Sequence, residues 1–222
     1  MESGFWLERW QQGQIAFHQP HINPDLKRHW PQLGCPPEAA VFVPLCGKSE
    51  DLCWLRSLGH PVVGVELSDL AVQGFYSERG LPPQRSHVGS LECWAGNGYQ
   101  LYVGDFFDLG APHLAGVRAV YDRAALIALP APLRRRYADH LAAILAPGTR
   151  MLLITMDYPQ QQMAGPPFSV PDAEVHSLFD PAFSVSLLAT RDTLADEPRF
   201  RERGLRELKE TAYLLERKAA TA

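Results

Sequence analysis

The chain of 222 residues has no apolar run of the roughly 18 residues that a membrane-spanning helix requires. Its opening residues, MESGFWLERW, lack a basic stretch followed by an apolar one, so no secretory leader is expected. Cysteine is scarce: the four are Cys35, Cys46, Cys53 and Cys93. None forms C-x-x-C and none has the spacing of a metal finger, so buried, reduced thiols in a cytoplasmic protein are expected. A basic face is missing as well. The formal net charge is -4, and the one basic cluster, Arg134-Arg135-Arg136, adjoins an apolar helical pattern. It reads as a solvated helix start rather than a phosphate patch, so no nucleic-acid partner is expected. His18 and His21 have no Cys or acid suitably placed beside them, and no metal is expected. Internal repeats and low-complexity tracts are absent, and nothing in the pattern calls for an oligomer.

What is present is a regular alternation. The length suits one core, so residues 1–222 are expected to form a single domain, with residues 1–35 as an appended element within it. That element holds one short helix around FWLERW, interrupted by Gly13, and a second opened by Asn23-Pro24-Asp25. Apolar, β-rich segments follow at 39–45, 61–67, 117–122 and 149–156, with helical patterns at 49–59, 68–80, 132–148 and 172–180. Ser49 and Ser68 are the expected helix caps. Residues 90–106 read as a hairpin around Gly-Asn-Gly. Two last strands, FSVSLLATRD and LKETAYLLERK, flank a polar loop without helical pattern and suit an antiparallel pair. The whole predicts an α/β fold with a largely parallel sheet covered on both faces.

In such a sheet, ligands sit beyond the carboxyl ends of the strands, where the strand order reverses. After the first strand comes Pro-Leu-Cys-Gly-Lys-Ser. Gly47 permits close backbone approach, and the next helix offers free amides. This is neither G-x-G-x-x-G nor a phosphate-binding loop with paired glycines. After the second strand stands Glu66, placed to accept the hydroxyls of a ribose, as in nicotinamide, flavin and S-adenosylmethionine sites alike. After the hairpin, Asp105 and Phe106 suit an adenine, the acid for its amine and the ring for its face. After the fourth strand comes Arg123. It is either a partner of Asp122 or a contact for an anionic or electron-rich substrate. Gly165-Pro166-Pro167-Phe168 has the proline pair of amino-methylating DNA enzymes. It lies after a different strand and lacks their leading Asn or Asp, so Pro167 reads as part of a stiff pocket wall.

Taken in order, several stretches resemble the thiopurine S-methyltransferase family in its bacterial form. They are W-x-x-x-W-x-x-G-x-x-A-F-H-Q (6–19), FVPLCGKS (42–49), GHPVVGVELS (59–68), DFFDL (105–109), YDRAALIAL (121–129), GPPFxVP (165–171) and YLLERK (213–218). The resemblance implies a class I S-adenosylmethionine-dependent methyltransferase. Its fold would be Rossmann-like, a seven-stranded, mostly parallel sheet with an antiparallel last strand, and residues 1–35 would form an N-terminal helical lid. It implies that Trp10, Leu45, Glu66, Asp105, Phe106 and Arg123 hold the cofactor, beside the Gly47 turn, and that Phe17 covers the acceptor. An arginine before the last strand would reach the pocket; Arg199 fits best, with Arg201 and Arg203 close by. The implied reaction is S-methylation of thiopurines and other aromatic or heterocyclic thiols by a cytoplasmic monomer. For bacterial members it extends to selenium and tellurium oxyanions and so to tellurite resistance. No general base is assigned, since such thiols ionise readily and the cofactor's methyl group is already activated. The competing readings are an NAD-dependent oxidoreductase, which Glu66 alone would fit, and a catalytically silent nucleotide-binding module.

Overall fold

The computed structural model describes residues 3–219; Met1 and Glu2 of the expected lid, and the last three residues of the expected domain, lie outside them. The chain divides into two compact units, Met1–Tyr121 and Asp122–Ala222.

The first unit opens with α1 (Ser3–Gln11) and α2 (Pro24–His29). Gly13 follows α1 with a φ of 67°, a left-handed conformation that stops a helix. α2 begins as its sequence predicts. The Asn23 side chain accepts from the amides of Asp25 (2.8 Å) and Leu26 (3.0 Å), and proline occupies the first turn. Then come β1 (Ala40–Val43), α3 (Glu50–Ser57), β2 (Val62–Glu66) and α4 (Asp69–Glu78). β3 (Gln84–Val88), β4 (Leu91–Gly96), β5 (Tyr99–Val103) and β6 (Val117–Arg123) complete the unit, β6 running two residues into the next. The strand order is β3-β4-β5-β2-β1-β6. β1 pairs in parallel with both β2 and β6, and β2 with β5; β3 and β4 run as antiparallel additions outside β5. The order reverses at β1, so the carboxyl end of β1 is a switch point. β2 is buried along its whole length, as a strand covered on both faces must be.

The second unit contains α5 (Ala131–Ile144), β7 (Arg150–Asp157), α6 (Asp172–Phe179), β8 (Phe183–Asp192), α7 (Pro198–Glu202) and β9 (Lys209–Arg217). β9 lies between β7 and β8, antiparallel to both. Its core is built from Tyr137, Leu141, Leu152, Phe179, Phe183 and Tyr213.

The fold class is α/β with a mixed sheet. Among the described residues there are nine strands where the resemblance implies seven, β3 and β4 being the added pair. Residues 193–208 depart from the expected plain loop, folding into a turn at Leu194–Asp196 and the short α7. Ser49 caps α3 as expected, accepting from the Asp51 amide at 3.1 Å, but Ser68 makes no side-chain cap at α4. The arginine cluster is also not simply a solvated helix start. Arg134 is buried, donates to the Ser169 carbonyl at 2.7 Å and pairs with Glu174 at 3.0 Å. Arg135 donates to the carbonyl of Leu178 at the end of α6. Arg134 ties α5 to the loop at Ser169 and to α6 because a buried guanidinium must find acceptors, while the exposed Arg135 adds a second tie to α6. No described helix is long and apolar enough to cross a membrane.

Candidate functional site

In the first unit the candidate residues gather around Glu66. The turn after β1 contains Leu45 and Gly47, both left-handed, with φ of 47° and 54°. This turn folds back on the end of β2: the Cys46 amide donates to the Val65 carbonyl at 3.0 Å. The Gly47 amide donates to Glu66 Oε2 at 2.9 Å, and the Ser68 amide donates to Oε1 at 2.9 Å. The carboxylate is thus held between two main-chain N–H groups, one from each adjoining strand-to-helix turn. Burial pushes the Glu66 carboxyl up, and the amides of Ser68, Gly47 and Leu67 pull it back.

Ser68 explains its own failure to cap. Its amide serves Glu66, and its hydroxyl is buried without a hydrogen-bond partner among the described residues. Position 47 is closed on the other side by α1, since a Cβ placed on Gly47 would meet the Trp10 ring at 3.5 Å. Trp10 and Trp6 each meet the Phe17 ring edge-on, with centroids 5.6 and 5.5 Å apart. The amide of Gly104 donates to the Glu66 carbonyl at 3.0 Å, which sets Asp105 and Phe106 next to the same strand end. Phe106 is buried, while Asp105 is exposed and accepts from the Phe107 amide at 2.9 Å. Trp10, Phe17, Leu45, Gly47, Glu66, Asp105 and Phe106 therefore belong to one cluster.

Of the four cysteines, Cys46 sits in the turn that meets Glu66. Burial pushes the Cys46 thiol well up, with Glu66 adding to the shift, so it stays protonated. Cys46 and Cys93 are buried and Cys35 and Cys53 half-buried, all of them free. His18 lies among Lys48, Glu78, Glu50 and Arg79, and its pKa is lowered, first by burial. No group of three His, Cys, Asp or Glu side chains suited to a metal occurs among the described residues.

In the second unit Arg123 closes β6 and is half-buried. It makes no hydrogen bond or ion pair among the described residues. Asp122 is not its partner: that carboxylate accepts from the Tyr137 hydroxyl at 2.7 Å and the Leu126 amide at 3.3 Å. Pro167 follows two cis peptide bonds, and its carbonyl accepts from the Tyr158 hydroxyl. The next amide, that of Phe168, donates to the Ile127 carbonyl at 2.7 Å. The proline wall and the turn after Arg123 are thereby joined. Gly165 is required here, because a Cβ on it would lie 2.5 Å from the Phe168 ring.

Arg199 is half-buried, paired with Glu197 at 3.0 Å and stacked on Phe200. Burial pushes the Tyr158 hydroxyl up, opposed first by its hydrogen bond with Gln160 and then by the charge of Arg203. Sequence reasoning missed Ser68, Tyr137 and Tyr158 as supports of these residues. Only the position of Ser68, two residues past Glu66, offered a local signal.

Solved structures share this architecture. The Burkholderia thailandensis 1,6-didemethyltoxoflavin-N1-methyltransferase, solved with S-adenosylhomocysteine bound, aligns with a TM-score of 0.66 at 15% identity, over 98% of this chain and 87% of its own. An S-adenosylmethionine-dependent methyltransferase from Anabaena variabilis gives 0.66 at 13% identity, over 97% and 95%. The fold is thus that of the S-adenosylmethionine-dependent methyltransferases. The family model described as thiopurine S-methyltransferase matches residues 1–218. A thiopurine S-methyltransferase of Nitrosospira multiformis is 51% identical over 215 residues, covering 97% of this chain and 98% of the relative. The chain belongs to the thiopurine S-methyltransferase family.

The residues present fit the cofactor this family implies. A buried carboxylate aimed from a strand end, a left-handed turn without side chain at Gly47, and the unpartnered Ser68 hydroxyl make a cradle for a nucleoside.

Proposed function

We propose that the protein transfers a methyl group from S-adenosylmethionine to the sulfur of thiopurines and other aromatic or heterocyclic thiols. The observation that carries this reading is the half-buried guanidinium of Arg123, unpartnered among the described residues, at a strand end whose neighbouring carboxylate is already engaged. A cation kept free there suits a thiolate or an electron-rich ring.

When bound, the cofactor supplies an electrophilic methyl group. Glu66 would hold its ribose through the lone pairs that the Gly47 and Ser68 amides leave available. Asp105 and Phe106 would meet the adenine, and Trp10 would cover the Gly47 turn. Phe17 and the Pro167 wall would exclude water and hold the acceptor sulfur in line, while Arg123 and an arginine of residues 199–203 balance its charge. Since the thiol ionises in solution, no residue is needed as a base.

The test is incubation with methyl-labelled cofactor and, in parallel, a thiopurine, an aryl thiol and selenite. Label is expected on thiol sulfur. Cofactor binding without any sulfur label would contradict the proposal. Arg123→Ala should lose more activity than Arg123→Lys, which keeps charge but not the planar fork; equal activity in all three proteins would remove Arg123 from the reaction.

A further inference from the structure

Arg123 has no side-chain partner among the described residues, so its direction depends on the backbone that carries it. That backbone is unusual. Ala124, immediately after it, has a φ of 67°, a left-handed conformation that is costly for a residue with a Cβ. Such a turn persists only where its surroundings over-determine it. The surroundings here are one carboxylate and one phenol, both fully buried. Asp122 Oδ1 accepts from the Leu126 amide across the turn, and Oδ2 accepts from the hydroxyl of Tyr137 on α5 at 2.7 Å. One residue past Leu126, the Ile127 carbonyl takes the Phe168 amide and so fixes the proline wall.

We propose that Tyr137 and Asp122 are a positioning pair, which sets the turn bearing Arg123 and, through Ile127 and Phe168, the wall at Pro166–Pro167. The proposal rests on the reading of Arg123 as a substrate contact. Neither member of the pair touches reacting atoms. An apolar pair would fill the same space without the cost of burying a charge. The carboxylate is useful because it satisfies amides of the strained turn and a helix side chain together.

The pair also carries a pH signature. Burial pushes the Asp122 carboxyl up to about 6, against the pull of the Tyr137 hydroxyl and the Leu126 and Ala125 amides. What meets its ionised form is therefore Tyr137 from α5 and those amides from the turn. As pH falls through this value the carboxylate is lost and the turn loosens, so activity declines on the acid side. That decline is not unfolding. Between the unfolded aspartate value of about 3.9 and the folded one, the folded chain binds the extra proton, and this group favours folding more as pH falls.

The experiment is a cycle of wild type, Tyr137→Phe, Arg123→Ala and the double variant, assayed for methyl transfer to 4-nitrothiophenol with thermal unfolding as a control for folding. Tyr137→Phe should lower turnover about tenfold in the wild-type background and by less than about twofold where Arg123 is already absent, since coupled residues are non-additive. It should also move the acid limb of the pH profile to higher pH, because a hydrogen bond that favours ionised Asp122 is gone. If Tyr137→Phe does not fold, Asp122→Asn, which keeps shape and one acceptor, takes its place in the cycle. Equal losses in both backgrounds, or an unmoved acid limb, would mean a merely structural role and overturn the proposal. So would full activity of Tyr137→Phe beside an impaired Arg123→Ala. An unimpaired Arg123→Ala protein would instead overturn the Arg123 reading, and the proposal with it.

Discussion

Glu66 carries more of this molecule's character than any other side chain. Its oxygens are already occupied by the Gly47 and Ser68 amides, so its geometry is set before any ligand arrives. Removing it should therefore do two things: withdraw an acceptor from the ligand and leave two amides unserved. Glu66→Ala is expected to weaken S-adenosylhomocysteine binding by roughly 1–3 kcal/mol, the worth of charge-assisted hydrogen bonds, as read by calorimetry. An unchanged dissociation constant would refute the ribose role. Glu66 could be singled out in the sequence because it ends an apolar strand and so declares its position. Tyr137 could not. It looks like one more aromatic on an amphipathic helix, and its partner Asp122 lies fifteen residues away across a turn that no local pattern describes.

At the scale of elements, legibility follows the same logic. The β4–β5 hairpin was readable because Asn97 and Gly98, with φ of 54° and 85°, are the residues a tight turn between twisted strands requires. Arg56 then seals that turn, its guanidinium donating to the Asn97 carbonyl at 3.0 Å. A Cβ at Gly98 would lie 2.1 Å from Arg56 Nε. Gly98→Ala should thus cost roughly 1–4 kcal/mol through backbone strain and the displaced arginine, measured by chemical denaturation. A loss below about 0.5 kcal/mol, the size of a neutral surface change, would contradict this account. β3, by contrast, was not foreseen. Its residues, Gln84 to Val88, are all exposed, and an edge strand with no buried face carries no alternation to read. α7 escaped for another reason: five residues are too few to show a helical period. The strands that position the site, β1, β2 and β6, were visible because burial on both faces demands continuous apolar sequence.

At the scale of the whole molecule, a ligand that recognises only the folded chain must stabilise it. Saturating S-adenosylhomocysteine at 100 times its dissociation constant should add about 2.7 kcal/mol to stability and raise the melting temperature accordingly. NAD at the same concentration should leave it unchanged. A shift with NAD and none with S-adenosylhomocysteine would reinstate the oxidoreductase reading that Glu66 alone permitted.

The N-terminal element reads in the sequence as an appendage, but one buried carboxylate makes that description incomplete. Asp51 accepts from the Asn23 amide at 2.8 Å and from the Tyr121 hydroxyl at 3.0 Å, reaching 28 residues back and 70 residues forward. Two long loops of chain are closed at a single side chain. The entropy of closing each is spent before the carboxylate is satisfied, and a half-closed junction would leave a buried charge short of a donor. The segment that contains Asn23 and the strand that contains Tyr121 therefore share one melting event. What looks like an addition to the sheet is, in cooperative terms, part of its first unit.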